Sequence, residues 1–219
     1  MVMTYFYSQL IPVKYNFEGY LIVLASGNID KALVGYDTKY DCGSGDLNPL
    51  GSINKLDANN LINYLAELYP HLTALKDIVN AQPLAELTPV IPGEKIQSAE
   101  DAIRLTYKEI KMFNELRNQE LCGIVSMYEQ ACDFMPDVSP ADVKEKVLRF
   151  FTRYFRNRHK STILTPGVHL SGNSVEDSRY DHRPFVYESR GERPFEYQWE
   201  KVDSICENRL KHFNSNSGN

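Results

Sequence analysis

Residues Tyr20–Lys55 read YLIVLASGNIDKALVGYDTKYDCGSGDLNPLGSINK, and this stretch decides the fold. Its opening, Tyr20–Ala25, is a continuous apolar run rich in branched side chains, bounded by Gly19 and by Ser26-Gly27-Asn28. Such a run suits a strand buried on both faces, as in a parallel sheet, where both sides meet apolar neighbours. A short helix is expected over Ile29–Val34, then a loop over Asp41–Ser52 dense in Gly, Asp, Asn, Ser and Pro. A buried strand that ends in a small polar turn before a helix is the usual place for a nucleotide at an α/β sheet edge. Lys39, Asp46 and Lys55 lie on or beside the Gly-rich loop. Lysines hold phosphates as point charges, and glycine lets backbone N–H groups approach them. By itself the pattern is also that of an ordinary connecting loop.

Around this stretch the chain reads as helices. Met1–Leu10 places Met3, Phe6, Tyr7 and Leu10 at helical spacing with no N-cap ahead, as if the chain began inside a helix. Asp57 is expected to cap a helix running to Tyr69, with Leu61, Leu65 and Leu68 on one face. A further short helix is expected over Thr73–Asn80, and a three-proline connection over Pro83–Gly93. Ser98 to about Glu120 has a helical pattern, opened by a capping box between Ser98 and Asp101. Ser139–Arg158 is the clearest helix: Ser139 caps it, Pro140 takes the first helical position and Asp142 suits the N-terminal end. Its apolar face is Val143, Val147, Phe150, Phe151 and Tyr154. An irregular polar stretch then runs to Pro194, a last helix is expected over Phe195–Phe213, and Asn214–Asn219 reads as a disordered tail.

The 219 residues are 42% hydrophobic and 24% charged, ordinary globular material. A net charge of -5 weighs against general nucleic-acid binding. The four cysteines form no CxxC pair, which argues against zinc and dithiol chemistry and for reduced thiols in a cytoplasmic protein. The longest apolar stretch, Tyr20 to Ser26, is too short to span a bilayer.

A second stretch can carry chemistry. Lys144, Lys146, Arg149, Arg153, Arg156, Arg158, His159 and Lys160 crowd the end of the long helix, with only Glu145 opposing them. Cations there complement the helix dipole, and they could equally hold a phosphate or carboxylate.

Taken in order, Asn28–Lys55 (NxDxxLxGYxTKYDxxSxDxNPxGxIxK) and Arg149–Tyr187 (RFFxxYxxNRHKxTxLTPxxHxxxxSxxDxRxDxRPFxY) resemble eukaryotic-type glutamine-dependent NAD+ synthetases. Ala85-Glu86-Leu87, Leu105-Thr106-Tyr107 and Ser139–Arg149 fit between them, so the resemblance spans nearly the whole chain. It implies an α/β class, the C-terminal part of an adenine-nucleotide α-hydrolase-like Rossmann fold, mostly helical in this fragment. Residues 1–160 would be a partial synthetase domain, 161–213 an extension of it and 214–219 a tail. The implied reaction amidates deamido-NAD+: ATP, with Mg2+, adenylates the nicotinate carboxylate, and ammonia from a glutaminase domain displaces AMP. Residue by residue, the resemblance puts Ser26 and Lys55 at ATP, and Lys39, Asp46, His159 and Lys160 at deamido-NAD+. It also implies a homo-oligomeric whole enzyme, with no nucleic-acid or membrane partner.

Departures accompany the resemblance. The family's SGGxDS phosphate loop and glutaminase domain fall outside these 219 residues, so the expectation is a fragment of doubtful competence. Lys31 stands where the family has a magnesium-binding Glu, and Leu84 where it has a threonine that contacts ATP. The acidic DEEDMG stretch is AEDAIR over Ala99–Arg104, with two aspartates and the glycine lost. These changes weigh against metal binding and adenylation more than against the dinucleotide contacts. A second expectation is therefore a non-catalytic, degenerate paralogue acting as an interaction module. A different ATP-pyrophosphatase, related to GMP or asparagine synthetases, is opposed by the TKYD and NRHK elements.

Overall fold

The computed structural model describes residues 1–41, 43–81, 98–172 and 195–216. The Pro83–Gly93 connection, the Ala85-Glu86-Leu87 element with Leu84, the second half of the downstream motif and the last three residues of the tail lie outside them. The described residues are mostly helical: α1 (Val2–Tyr15), α2 (Ile29–Val34), α3 (Lys55–Leu68), α4 (Ala74–Asn80), α5 (Ala99–Ile103), α6 (Tyr107–Asn114), α7 (Ile124–Phe134), α8 (Pro140–Asn157) and α9 (Glu196–Asn216). A π-helical turn, Glu115–Gln119, continues α6, and a 3-10 turn, Arg158–Ile163, continues α8.

The core lies where α6, α7, α8 and α9 meet. α8 begins as its sequence dictates: Ser139 accepts from the Asp142 N–H at 3.2 Å, and Pro140 occupies the first turn, where its missing donor costs nothing. Val143, Val147, Phe150, Phe151 and Tyr154 form its buried stripe, which Phe155 extends. Phe150 packs 5.3 Å from Phe113 of α6, while Trp199 and Val202 of α9 close the other side. Each fully buried ring contributes roughly 1.5–3 kcal/mol, which is why this cluster organises the fold.

Several sequence expectations are corrected. α3 is capped by Asn54, whose side chain accepts from the Asp57 N–H at 2.8 Å, so Asp57 sits inside the first turn. Leu61 and Leu68 remain exposed, and α3 buries only Ala66. The Ser98–Glu120 pattern is two helices. Arg104 turns left-handed (φ 58°) and ends α5, and Thr106 opens α6 with its own capping box to Glu109. Helix α7 has no counterpart among the expected elements. The tail is helical through Asn216.

Tyr20–Ala25 is extended but forms no strand ladder among the described residues, only an isolated parallel bridge from Leu24 to Leu47. It is not buried on both faces. Val23 and Ala25 are buried, while Tyr20, Leu21, Ile22 and Leu24 are exposed, so only Ile22–Ala25 alternates as a half-covered strand does. Helix α1 exposes Met3, Phe6, Tyr7 and Leu10 and buries only Pro12. No helix among the described residues is long and apolar enough to cross a membrane.

Candidate functional site

Three backbone segments far apart in sequence are laced together beside α2. The Asp46 N–H donates to the Val23 carbonyl at 2.8 Å, and the Asp46 carboxylate accepts the Val23 N–H at 2.8 Å. The Ala25 N–H donates to the Leu47 carbonyl at 2.9 Å, Asn48 N–H to Pro166 at 2.9 Å, and Val168 N–H to Asn48 at 3.0 Å. The upstream Gly-rich loop is thus the middle layer between Tyr20–Ala25 and the Thr165–Val168 stretch of the downstream motif. Gly45 is required by this lacing, because a Cβ there would lie 2.6 Å from the Val23 carbonyl oxygen. Thr165, buried, accepts from the Gly45 N–H and donates to the Gly45 carbonyl at 2.8 Å, holding the loop shut.

Helix α2 is placed by its ends. Asn28 caps it, accepting the Lys31 N–H at 3.1 Å. Gly35 ends it at φ 61°, against Asn157 of α8. Asp30 is 1% exposed and accepts the Lys55 N–H at 2.6 Å, joining α2 to the first turn of α3. The buried Asn48 donates to the Gly27 carbonyl at 2.8 Å, fixing the turn after the extended segment.

A cleft of about 240 Å³ results, with Ser26, Lys31, Tyr36, Asp37, Lys55 and Thr165 among its walls. That is smaller than the ~300–1,000 Å³ usual for a drug-sized ligand, so it suits part of a nucleotide. Two lysines face it, and several wall groups lack partners. The Tyr36 and Tyr107 hydroxyls and one Asp37 carboxylate oxygen are buried without a hydrogen bond, as is one oxygen of nearby Asp30. Burial, helped by Asp30, Glu100 and Tyr36, pushes the Tyr107 phenol up to about 12, so it stays a donor. Burial raises the Asp37 carboxyl, Lys160 and Lys31 pull it back and Asp41 adds to the rise. Buried unpaired polar groups are costly, and a polar ligand would satisfy them.

Of the residues singled out from sequence, Ser26 and Lys55 line this cleft, and so does Lys31. The other four do not line it. Lys160 reaches its rim, donating to the Gly35 and Asp37 carbonyls at 2.7 Å each, and thereby fixes the loop after α2. Asp46 accepts from the Val23 N–H at 2.8 Å and from the Tyr5 hydroxyl at 3.0 Å, bonds that anchor the loop. His159 makes a 3.0 Å contact with the Arg156 carbonyl through Nδ1, and Lys39 is exposed on the loop. Tyr36, Asp37, Tyr107 and Thr165 escape selection by sequence, although each lies within or beside a quoted motif.

The walls do not suit the magnesium ion that the resemblance implies. Mg2+ demands oxygen ligands in near-octahedral geometry, whereas a lysine ammonium has no acceptor. Asp41 already accepts from the Thr38 and Gly43 N–H groups, and Lys31 stands on the wall beside Asp37. No cluster of three His, Cys, Asp or Glu side chains able to hold a metal occurs among the described residues.

The NAD synthase family profile matches residues 10–161, more than two thirds of the chain. A glutamine-dependent NAD(+) synthetase of Drosophila melanogaster is 41% identical over 210 residues, covering 94% of this chain and 26% of the relative. The Saccharomyces cerevisiae synthetase is also 41% identical, over 94% of this chain and 29% of its own length. The crystal structure of a glutamine-dependent NAD(+) synthetase from Cytophaga hutchinsonii superposes over 89% of this chain and 28% of that one, with a TM-score of 0.61 at 18% identity. The chain thus spans little more than a quarter of the length of these relatives. Its sequence profile, and the convergence of both motifs on one cleft, place it in the NAD synthase family.

Proposed function

We propose that the chain serves NAD biosynthesis as the C-terminal part of a glutamine-dependent NAD+ synthetase, forming one wall of the site where ATP activates deamido-NAD+ for amidation. The observation that carries this is the single cleft built from the end of Tyr20–Ala25, α2, the start of α3 and the Leu164–Gly167 turn. In the whole enzyme the carboxylate is adenylated and ammonia then displaces AMP, so the protein's tasks are phosphate neutralisation and alignment. Lys55 supplies a cation to the ATP phosphates, and Ser26 a hydroxyl at the segment's end. Tyr107 and Tyr36 donate hydrogen bonds to ligand acceptors. Lys39 and His159, outside the cleft, are the remaining contacts for the second nucleotide, while Lys160 and Asp46 position the loops between them. Tyr20–Ala25 serves as a strand of a Rossmann-like parallel sheet, α9 belongs to a C-terminal extension of the same domain, and the whole enzyme is cytoplasmic and homo-oligomeric.

A second reading, a non-catalytic member of the family, is favoured by one observation: a lysine rather than a carboxylate faces the cleft at position 31. Calorimetry of the 219-residue protein with deamido-NAD+ and with ATP tests the first. The expected result is saturable binding of both, with deamido-NAD+ the tighter, and ATP binding weakened at least tenfold by Lys55→Met. If neither nucleotide binds, or Lys55→Met changes nothing, the assignment of the cleft fails.

A further inference from the structure

A second cleft, about 560 Å³ and open to solvent, lies on the far side of α8 from the core, between α8 and the end of α5. Arg149, Arg153 and Arg156 project into it from successive turns of α8, and Arg104 from the end of α5. No carboxylate of the described residues lines it. The nearby basic residues of α8 are matched by acids: Lys144 pairs with Asp203 at 3.0 Å and Lys146 with Glu109 at 2.7 Å. The four arginines have no such partner among the described residues. Arg153 donates to the Ala102 carbonyl at 2.8 Å, and Arg149 lies 3.5 Å from the Arg104 carbonyl. A guanidinium carries five donors, so most of theirs stay free.

Two further observations show that this is more than a dipole-matched helix end. Arg104 comes from a different element and holds a left-handed backbone (φ 58°), a conformation that costs a side-chain-bearing residue about 1–2 kcal/mol and that glycine adopts freely. The Arg153 guanidinium is shifted down by its burial and by the like charges of Arg149, Arg156 and Arg104, with Tyr36 opposing. Four mutually repelling cations around an open cavity are in deficit of an anion.

We infer that the cleft between α5 and α8 is a binding site for an oligophosphate anion, gripped by Arg104, Arg149, Arg153 and Arg156. Planar guanidinium forks match phosphate oxygens bidentately, and charge-assisted bonds of this kind are about twice as strong as neutral ones. Among the described residues the walls offer no aromatic face on which a base could stack, so the group recognised is the phosphate chain. Free pyrophosphate and the tail of a nucleoside triphosphate share that chemistry. The site is separate from the Lys31 and Lys55 cleft and does not depend on what that cleft binds.

The test is calorimetry of the 219-residue protein with sodium pyrophosphate, and with ATP as the second arm. Wild type is expected to bind pyrophosphate saturably, the more weakly as salt is raised. The double variant Arg104→Gly, Arg156→Gln is expected to lose at least tenfold in affinity, about 1.4 kcal/mol. Both positions are exposed and glycine relieves the left-handed turn, so its thermal midpoint should stay level or rise. Arg156→Gln alone, with no backbone consequence, should move affinity the same way. Lys76→Gln, on α4 and lining neither cleft, should leave pyrophosphate binding unchanged. ATP displacing pyrophosphate in the Lys55→Gln protein would identify a nucleotide tail as the occupant; failure to displace it would identify the free anion. No pyrophosphate binding at millimolar concentration, or equal affinity in the double variant, would overturn the inference.

Discussion

Asp30→Asn isolates the energetic cost carried by the first cleft. The Asp30 carboxylate is 1% exposed; one oxygen takes the Lys55 N–H and the other has no partner. Burial, with Asp57 adding to it, outweighs that hydrogen bond and the Lys111 and Lys55 charges, and raises the carboxyl from 3.8 to about 6. A folded-state pKa above the unfolded one means that the native protein binds the extra proton between those values. The contribution of Asp30 to stability is therefore highest below about pH 4, falls as pH rises towards about 6, and is level beyond. A rise of this size corresponds to roughly 3 kcal/mol as an upper bound. Asparagine keeps an acceptor for Lys55 and removes the charge. It weakens the interaction with the N-terminus of α3 by about 0.3–1 kcal/mol, so a net gain of about 1–2 kcal/mol is expected near neutrality. Urea unfolding of both proteins across this range is the assay. The difference between them cancels shared contributions from Asp37, which is raised and has the same sign, and from Glu109, which is lowered and has the opposite one. A variant that is less stable at neutral pH, with the wild-type slope intact, would show that the ionised carboxylate stabilises the fold, refuting the cost described above.

Three further outcomes are expected. Gly35→Ala combines a left-handed φ of 61° with a Cβ 2.1 Å from that of Asn157, and should destabilise by at least about 2 kcal/mol in denaturant unfolding. Lys31→Glu adds a carboxylate beside Asp37 and Asp41 and should strengthen Mg2+ binding to this chain at least tenfold, about 1.4 kcal/mol, by calorimetry; equal affinity would place residue 31 away from any metal. A protein of these 219 residues, supplied with deamido-NAD+, ATP and ammonia, should form no NAD+, since no phosphate-cradling SGGxDS loop occurs in it; steady turnover in a coupled assay would contradict this.

What is legible in the sequence follows which signals are local. Helix α8 announces itself because cap, proline and apolar period agree. Helix α7 gives no such notice although Ile124, Met127, Tyr128, Ala131 and Cys132 keep helical spacing, because Gly123 at its start supplies no side-chain cap. The break at Arg104 is hidden for a related reason: an arginine in the left-handed conformation gives no sign of it, where a glycine would. Composition alone makes Tyr20–Ala25 look doubly buried, yet burial depends on which segments lie alongside, and among the described residues its backbone partners are Asp46 and Leu47, with Gly45 packed against it. At the site, charged residues in motifs are easy to select and their destinations are not. Lys55 faces the cleft, but Asp46 accepts from a backbone N–H and the Tyr5 hydroxyl, and Lys160 donates to two backbone carbonyls, partners that spacing cannot foretell.

The net charge of -5 argues against polyanion binding, and the structure shows why that sum misleads. Fields are screened within a Debye length of about 8 Å at physiological salt, so a ligand senses the charges around its own cavity and little beyond. Acids on α6 and α9 neutralise the lysines of α8 that face them, through Glu109 and Asp203. Lys31 and Lys55 are left in one cleft and four arginines in the other, with Tyr36 lining the first and acting electrostatically on Arg153 in the second. Both clefts gain a cation at a position where the family resemblance has none, Lys31 for a glutamate and Arg104 for a glycine. Each substitution raises the local positive potential at no benefit to packing: Lys31 lies on a cavity wall, and Arg104 is exposed in an unfavourable backbone conformation. A chain that tolerates two such costs beside two open cavities has its charge arranged for anions, whatever its total.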